Sequence, residues 1–355
     1  MFIVGLPLCS PLFSEESHAW TPPPPPADEF EWIQLTSGEW LKGEIKSMQD
    51  GELEFDSDEL DLQTFDWEDI AVIRSNRKTD VVFDRKKSVI SGVVSVEDQQ
   101  IQIQTTKAEA PVILPQDTVI GLAPGGEKES DYWSLKASLG MTYRSGNTDE
   151  IDYNARFTAN RVSALSRYYF DYLGSYSETE GIETSNSHRI ESNYDIWLSQ
   201  DYFLRIPFFE YKRDPFQNIA HRVTIGVGLG YQIIDTGDTS WSVSAGPAYQ
   251  YLRYESTAAN GDEEQHTPAF YLATEFEQDL TDDLTFIAFY QAQVVSKDAG
   301  GSAHHIEGRF EIDLTSKLDL SLSAIYDVTT NPQDGANQNT DSGDFRFVTS
   351  LGYEY

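Results

Sequence analysis

The chain has 355 residues, enough for two domains, and its 25 basic and 59 acidic side chains give a formal net charge of −34. Such an excess of acids excludes nucleic acid as a partner, because phosphate binding needs clustered Lys and Arg. It favours either cation attraction or simple solubility in saline surroundings. The aromatic content of 13% argues against disorder, and a single cysteine, Cys9, excludes a disulfide framework or a cysteine-based metal site.

The first residues have the pattern of an export signal. Residues 2–13 are apolar, and Ser17 and Ala19 place small side chains at the −3 and −1 positions of a signal-peptidase site. We therefore expect residues 1–19 to be a signal peptide, although the positive charge that usually begins one is missing. The alternative is an ordinary unstructured start. The run of five prolines that follows predicts a stiff, extended linker over residues 20–29.

Residues 30–122 contain one pattern of short alternating strands twice, about 49 residues apart. Gly43 in the first copy and Gly92 in the second fall where a strand must bend sharply. Short, bent strands of this kind predict a small soluble β-domain, a tandem SH3-like or Sm-like repeat. We expect this domain to be either a docking surface for a periplasmic protein partner or a structural spacer. Residues 123–130 predict a flexible linker after it.

Long strands with strict alternation of apolar and polar side chains follow over residues 131–355. Residues 318–328, for example, place apolar side chains at even positions, with Asp or Ser at most positions between them. Period-two alternation over about ten residues is typical of a strand that crosses a membrane. We therefore predict an all-β chain that ends in an antiparallel transmembrane β-barrel of about twelve strands. These strands begin near Trp133, Ile151, Leu165, His188, Tyr202, His221, Trp241, His266, Leu284, His305, Leu318 and Gly343.

The ends of the predicted strands indicate where the barrel resides. Short connections alternate with longer ones, such as residues 178–187, as periplasmic turns alternate with outer loops. A soluble all-β protein, the competing interpretation, has no reason for this alternation. The last strand ends on the aromatic Tyr355, which we interpret as an assembly signal. The sequence therefore predicts the cell outer membrane as location, with outer-membrane lipids and the barrel-assembly machinery as partners.

The opening of the predicted barrel, WSLKASLGMTYRSGNTD over residues 133–149, is also informative. It resembles the YdiY-like family of salt-induced outer-membrane proteins, a domain of unknown function, most specifically over residues 145–148. The resemblance covers roughly residues 131–355, and the front module is similar to extensions in some members. It implies an outer-membrane barrel linked to salt stress, and it brings no catalytic residues. We interpret Gly146 and Asn147 as a tight hairpin turn, because both residues tolerate positive φ.

Two other groups of residues are candidates for chemistry. His188 and Ser192 point the same way on one strand, loosely like the outer-membrane phospholipase, but no Asn or Asp orients the histidine as a triad requires. His304 and His305 are adjacent, so they face opposite sides of a strand and do not easily share a metal. We therefore predict no catalytic residues, no cofactor and no metal site.

The inward-facing positions of the predicted strands carry charges of both signs. Opposite charges across a narrow lumen should pair, because unpaired charges away from water cost several kcal/mol. A strongly selective pore would more often carry rings of one sign. Three functions stay open: a non-catalytic barrel linked to salt or envelope stress, a narrow cation-preferring channel, and a disfavoured outer-membrane lipid hydrolase. The predicted charge network comprises Arg144, Asp152, Arg156, Arg222, Glu307, Arg309, Glu311 and Asp313.

Overall fold

The chain forms two β-structures, a nine-stranded sheet near its N-terminus and a closed barrel of twelve strands after it. The all-β fold class predicted from the sequence is confirmed. No helix among the described residues is long and apolar enough to cross a membrane. The computed structural model describes residues 20–26, 30–49, 51–57, 59–83, 88–105, 110–126, 128–144, 149–163, 165–199, 201–235, 239–256, 263–281, 283–295, 301–315, 317–330, 332 and 342–354.

The N-terminal sheet contains two copies of one arrangement. In each copy four strands lead into a short 3-10 helix, Trp67–Asp69 in the first and Gln116–Thr118 in the second. The strand order is β4-β3-β2-β1-β5-β6-β7-β8, and β9 pairs with both β2 and β5. The long strand β5 ends the first copy and begins the second. The strands are β1 (Glu31–Leu35), β2 (Trp40–Gln49), β3 (Glu52–Ser57), β4 (Asp61–Asp66), β5 (Ile70–Phe83), β6 (Ser88–Glu97), β7 (Gln100–Gln104), β8 (Val112–Pro115) and β9 (Val119–Pro124).

Equivalent positions of the two copies bind each other. The Trp67 indole Nε1 donates to the Gln116 carbonyl at 3.0 Å, and the Gln116 amide donates back to the Trp67 carbonyl at 2.9 Å, across 49 residues of sequence. The two bend glycines are also equivalent. A Cβ on Gly43 would lie 2.0 Å from the Asp56 carbonyl oxygen, and one on Gly92 would lie 2.8 Å from that of Gln104. Only glycine fits both bends without a backbone shift.

A carboxylate lies inside this sheet. Glu31 is 3% exposed, and its oxygens accept hydrogen bonds from the Ile45 backbone N–H at 3.2 Å and the Ser75 hydroxyl at 3.3 Å. Burial raises the pKa of Glu31, and the Arg77 guanidinium, 3.8 Å away, opposes this rise only in part. The charged form of Glu31 is therefore disfavoured inside the domain.

The proline-rich segment lies against the same domain. The ring of Trp20 contacts that of Trp32 with centroids 6.0 Å apart, and the Pro22 carbonyl accepts a hydrogen bond from Arg74 at 3.1 Å. The predicted signal peptide, residues 1–19, lies outside the described residues.

Each barrel strand pairs with its neighbours in sequence, and the ring is closed between the first and last strands. The connection between β12 and β13 corrects one expectation. A loop over residues 178–187 was predicted, but the strands continue to a two-residue turn at Glu180 and Gly181, both with positive φ. The strands are β10 (Trp133–Arg144), β11 (Glu150–Ser163), β12 (Ser166–Thr179), β13 (Ile182–Trp197), β14 (Tyr202–Asp214), β15 (Ile219–Asp235), β16 (Thr239–Tyr254), β17 (Glu264–Thr281), β18 (Leu284–Val294), β19 (Ser302–Thr315), β20 (Leu318–Thr329) and β21 (Gly343–Glu354).

The barrel wall is apolar outside and polar inside. On β15, Ile225 and Leu229 expose 51% and 61% of their surface outward, whereas Thr224, the residue just before Ile225, faces inward and is fully buried. A soluble protein buries its apolar side chains, so this inverted arrangement fits a wall that faces hydrocarbon. The closing seam is shorter than the other pairings, because β10 and β21 pair only from Lys136 to Leu139 among the described residues.

The N-terminal sheet contacts the start of the barrel. A 3-10 helix, Glu129–Tyr132, precedes β10, and the Tyr132 hydroxyl donates to both carboxylate oxygens of Asp80, at 2.9 and 3.1 Å. Arg161 of β11 pairs with Glu129 at 2.6 Å. We call this end of the barrel the inner rim and the opposite end the outer rim.

Candidate functional site

The lumen is crossed by ion pairs between inward-facing side chains. Because side chains alternate along a strand, every second residue of each barrel strand points into the lumen. Those near mid-height meet there, and most of them leave almost no exposed surface. We call this set the ion-pair layer; it comprises Arg156, Asp171, Arg189, Glu191, Glu210, Lys212, Arg222, His305, Glu307, Arg309 and Asp327.

Arg189 on β13 is one centre of the layer. Its guanidinium pairs with Glu191 at 2.9 Å and with Glu210 on the neighbouring strand at 2.9 Å. It also donates to the side-chain oxygen of Gln291 on β18 at 3.2 Å, so one side chain links separated parts of the wall. Arg222 binds the other oxygen of Glu210 at 3.1 Å. Arginine suits this role because its planar fork donates in several directions at once.

A second contact spans the full width of the lumen. The Lys212 ammonium on β14 lies 3.6 Å from an Asp327 carboxylate oxygen on β20. These strands are six apart in a ring of twelve, so they lie on opposite sides of the barrel. His305 and Arg346 bind the same carboxylate, at 2.8 and 2.9 Å. Opposite walls therefore touch through charged side chains.

A third contact joins β11 to β19. Arg156 pairs with Asp171 at 2.7 Å and with Glu307 at 2.5 Å. Glu307 also lies 3.3 Å from Arg309, which in turn lies 2.9 Å from Glu311. Since each carboxylate here has a cationic partner, the attraction between the partners offsets the cost of removing their charges from water.

Aromatic rings fill the lumen beside the ion-pair layer. Phe203, Phe208 and Tyr271 are fully buried, and Phe208 stacks on Tyr271 with ring centroids 4.4 Å apart. The inward face of β15 makes room for them with glycine. A Cβ on Gly228 would lie 2.0 Å from the Tyr271 hydroxyl, and one on Gly230 would lie 1.9 Å from the Phe203 ring.

A cavity lies on each side of the ion-pair layer. The outer one, of about 760 Å³, is lined by mostly polar side chains and reaches the closing seam at Met141 and Phe347. The inner one, of about 320 Å³, is acidic, and only a few cations offset its carboxylates. Its acids are Glu275, Glu277, Glu311, Asp313 and Glu354, and its cations are Lys136, Arg156 and Arg309.

A family model described as a protein of unknown function, DUF481, matches residues 137–355, which is most of the barrel. The chain belongs to the DUF481 family. No curated protein matches it.

Solved structures similar to this DUF481 protein include membrane barrels. The NanC porin is 15% identical, with 63% of this chain and 98% of that chain covered and a TM-score of 0.38. The translocator domain of the autotransporter NalP from Neisseria meningitidis is 11% identical, with coverages of 62% and 87% and a TM-score of 0.36. The KdgM porin in complex with disordered oligogalacturonate is 10% identical, with coverages of 62% and 98% and a TM-score of 0.31.

The residues predicted for the charge network are distributed over four places in the DUF481 barrel. Arg156, Arg222, Glu307 and Arg309 belong to the ion-pair layer, and Glu311 borders it. Asp313 lines the inner cavity and Asp152 the outer one. Arg144 lies apart from them at the outer rim, where it pairs with Glu150 at 3.2 Å and its side chain is 66% exposed. Gly146, Asn147 and Tyr355 lie outside the described residues.

Several important lumen residues were missed by the sequence reasoning. Arg189 shares a face with Glu191, two residues away, so the alternation of side chains along the strand could have identified it as a lumen residue. Lys212 likewise lies on the same face of β14 as Glu210 and Asp214. The inward aromatics had a different signal, which is the spacing of Gly226, Gly228 and Gly230 along one face of β15. Such a stripe indicates that a large side chain from elsewhere occupies the space.

Of the two histidine groups that could carry chemistry, His304 and His305 face opposite sides of β19, His304 outward and His305 into the ion-pair layer, and His188 and Ser192 both lie on the outer wall. His188 faces outward, where its ring nitrogens lie 3.0 Å from the Tyr172 hydroxyl and 3.0 Å from the Asn186 oxygen. The Ser192 hydroxyl donates to the Tyr168 hydroxyl at 3.1 Å and is not a hydrogen-bond partner of His188. Among the described residues, no three His, Cys, Asp or Glu side chains are grouped to hold a metal ion.

Proposed function

We propose that this DUF481 protein is an outer-membrane β-barrel whose lumen is closed at rest and whose N-terminal β-domain lies in the periplasm. The observation that carries the proposal is the contact between Lys212 and Asp327, because it joins opposite walls through side chains that are almost fully buried. A barrel of twelve strands is narrower than a porin of sixteen, so long side chains can bridge it.

The wall supports the membrane location. A closed ring satisfies its backbone hydrogen bonds internally, which lipid requires, and its outward faces are apolar. The strands are joined by short connections at the inner rim, such as that between Ser163 and Ser166, and mostly by longer ones at the outer rim, such as that between Thr329 and Gly343. Short turns face the periplasm in barrels of this class, so the inner rim and the N-terminal domain belong on that side.

The lumen supports a passive role over catalysis. The charged groups of the ion-pair layer are engaged with one another, and the pair suggested for a lipid hydrolase is separated on the outer wall. Any residual leak should favour cations, because the inner cavity carries more carboxylates than cations. A narrow cation-preferring channel is therefore the second candidate function.

The finer parts of the proposal come from the sequence. The YdiY-like resemblance supports a link to salt stress, which growth of a deletion strain at raised salt would test. The tandem strand pattern supports an SH3-like or Sm-like domain that docks a periplasmic protein. Residues 1–19 would direct export, and the barrel-assembly machinery would insert the barrel.

Membrane fractionation and charge reversal test the proposal. The protein should sediment with outer-membrane markers, and recovery as a soluble periplasmic protein would end the barrel interpretation. In planar bilayers, Arg156→Glu and Arg309→Glu should raise the conductance above that of the parent chain, since each places like charges side by side in the ion-pair layer. Arg253→Gln is the matched control, because that arginine pairs with Glu263 at the outer rim and not in the lumen. Equal conductance of all four proteins would contradict the bridged lumen.

A further inference from the structure

A row of basic and imidazole side chains runs along the outside of the barrel at the outer rim. His188 on β13 is opposite Arg213 on β14, and His221 on β15 is opposite Arg253 on β16. Lys212 is opposite Arg222, and both face inward, so the next residues toward the rim, Arg213 and His221, face outward together. We call these four residues of adjacent strands the basic row: His188, Arg213, His221 and Arg253.

Tyrosines mark the height of this row on the wall. Tyr172 and Tyr211, each on the preceding strand and just below the row, lie 3.0 Å through their hydroxyls from Nδ1 of His188 and His221. The same diagonal pair recurs on the next two hairpins. His266 lies against Tyr249 with ring centroids 6.4 Å apart, and His304 lies 3.0 Å from the Tyr290 hydroxyl. Tyrosine is enriched where hydrocarbon gives way to headgroups, so the basic row stands at headgroup level.

Outward-facing cations are rare on this acidic protein. Among the described barrel strands, all Lys and Arg side chains face the lumen except Arg161, Arg213 and Arg253. Arg161 lies at the inner rim and is held by Glu129. The two remaining arginines both lie in the basic row, next to two of the outward histidines.

Arg213 is the member most available to a ligand. Its guanidinium donates to the Asn186 side-chain oxygen at 3.2 Å, and no carboxylate of the described residues forms an ion pair with it. Asn186 in turn donates to Glu183. Arg253, at the end of the row, shares its charge with Glu263 at 3.0 Å in an exposed pair that another anion can replace at little cost.

We infer that the basic row binds the phosphate of a lipid headgroup in the membrane leaflet at the outer rim. The inference rests on the proposed function, because it needs the wall to face lipid. Phosphate matches the planar donor fork of arginine, and the imidazole of His221, which lies between Arg213 and Arg253, is a further donor beside it. The row lies directly above an apolar, tyrosine-bordered wall, so a phosphate that is anchored by acyl chains in the same leaflet meets it at the right height. Free phosphate lacks that anchoring.

Native mass spectrometry of the full chain in non-ionic detergent tests the inference. The probes are phosphatidic acid and a diacylglycerol with the same acyl chains, so the phosphate is the only difference. We expect the parent chain to retain phosphatidic acid preferentially. Arg213→Gln should weaken that binding about tenfold, the loss of one charge-assisted contact. Arg213→Lys, which keeps the charge, should lose less, and Arg161→Gln, an outward arginine at the other rim, should bind like the parent.

The controls separate the possible failures. Equal retention of both lipids by the parent, or unchanged binding by Arg213→Gln, would overturn the inference. Displacement of the lipid by millimolar inorganic phosphate would overturn the assignment to a lipid headgroup. Circular dichroism and the heat-dependent gel shift of each variant show whether its barrel is intact. Fractionation reports separately on the outer-membrane location, so loss of the proposed function is distinguishable from loss of this site.

Discussion

Replacing Arg189 by alanine should destabilise the barrel by an amount that follows from the ion pairs of this arginine. Arg189 is 7% exposed and binds two carboxylates, of which Glu191 is 2% and Glu210 is 1% exposed. Glu210 keeps Arg222 as a partner, whereas Glu191 keeps, among the described residues, only the Asn193 amide at 2.8 Å. Removing one member of a buried pair costs about 3–5 kcal/mol, and because one of the two acids stays paired we expect about 3 kcal/mol.

The assay is equilibrium unfolding by urea of the full chain folded into lipid vesicles, followed by tryptophan fluorescence. Arg189→Ala should lower the free energy of unfolding by about 3 kcal/mol. Adding Glu191→Gln should restore part of the loss, because it removes the orphaned charge. Arg253→Ala, which breaks an exposed pair, should cost less than about 1 kcal/mol. If Arg189→Ala cost no more than Arg253→Ala, or if Glu191→Gln added to the loss, the buried network would not stabilise the barrel as argued.

Three further predictions concern packing and the N-terminal domain. Gly230→Ala should lower the free energy of unfolding by about 1–3 kcal/mol, because the added Cβ would meet the Phe203 ring. In a chain that already carries Phe203→Ala, the same substitution should cost less. Unfolding in vesicles would contradict this if the losses of the two substitutions were additive. Residues 20–126, expressed alone, should give a β-type circular-dichroism spectrum and a cooperative melt, and an unfolded spectrum would count against an independent domain. In that fragment Glu31→Gln should gain thermal stability over the parent as pH rises from about 4 to 7. Burial raises the pKa of Glu31, so its stabilising contribution is present at low pH and is lost as pH rises through the folded-state pKa; a constant difference between the melts would refute this.

The barrel was predictable because its signal is local. Alternation along residues 318–328 gives β20 (Leu318–Thr329) almost to the residue, and the same pattern gives the number of strands. The tight turn at Glu180 and Gly181 was missed because polar residues extend beyond the apolar belt on both strands, so the strand continues where alternation fades. The hydropathy pattern therefore predicts which part of a strand faces an apolar environment, but it does not predict where the strand ends.

The contacts across the lumen were not predictable in the same way. Parity places Lys212 and Asp327 inside the barrel, but their meeting depends on the tilt and stagger of strands on opposite walls. The aromatic filling depends on the same geometry, since Tyr271 occupies space left by Gly228 on another strand. The basic row follows from the register of β13 to β16, in which His188 and Arg213 become neighbours only through pairing.

In our proposal the ion-pair layer closes the barrel. Planar-bilayer recording of the unmodified chain tests this closure, because a closed lumen passes no steady current. We predict a silent bilayer or brief, small openings that favour cations over anions, as the acidic inner cavity requires. Large, steady, porin-like steps would contradict the closed lumen, and anion selectivity of any openings would contradict the charge argument independently.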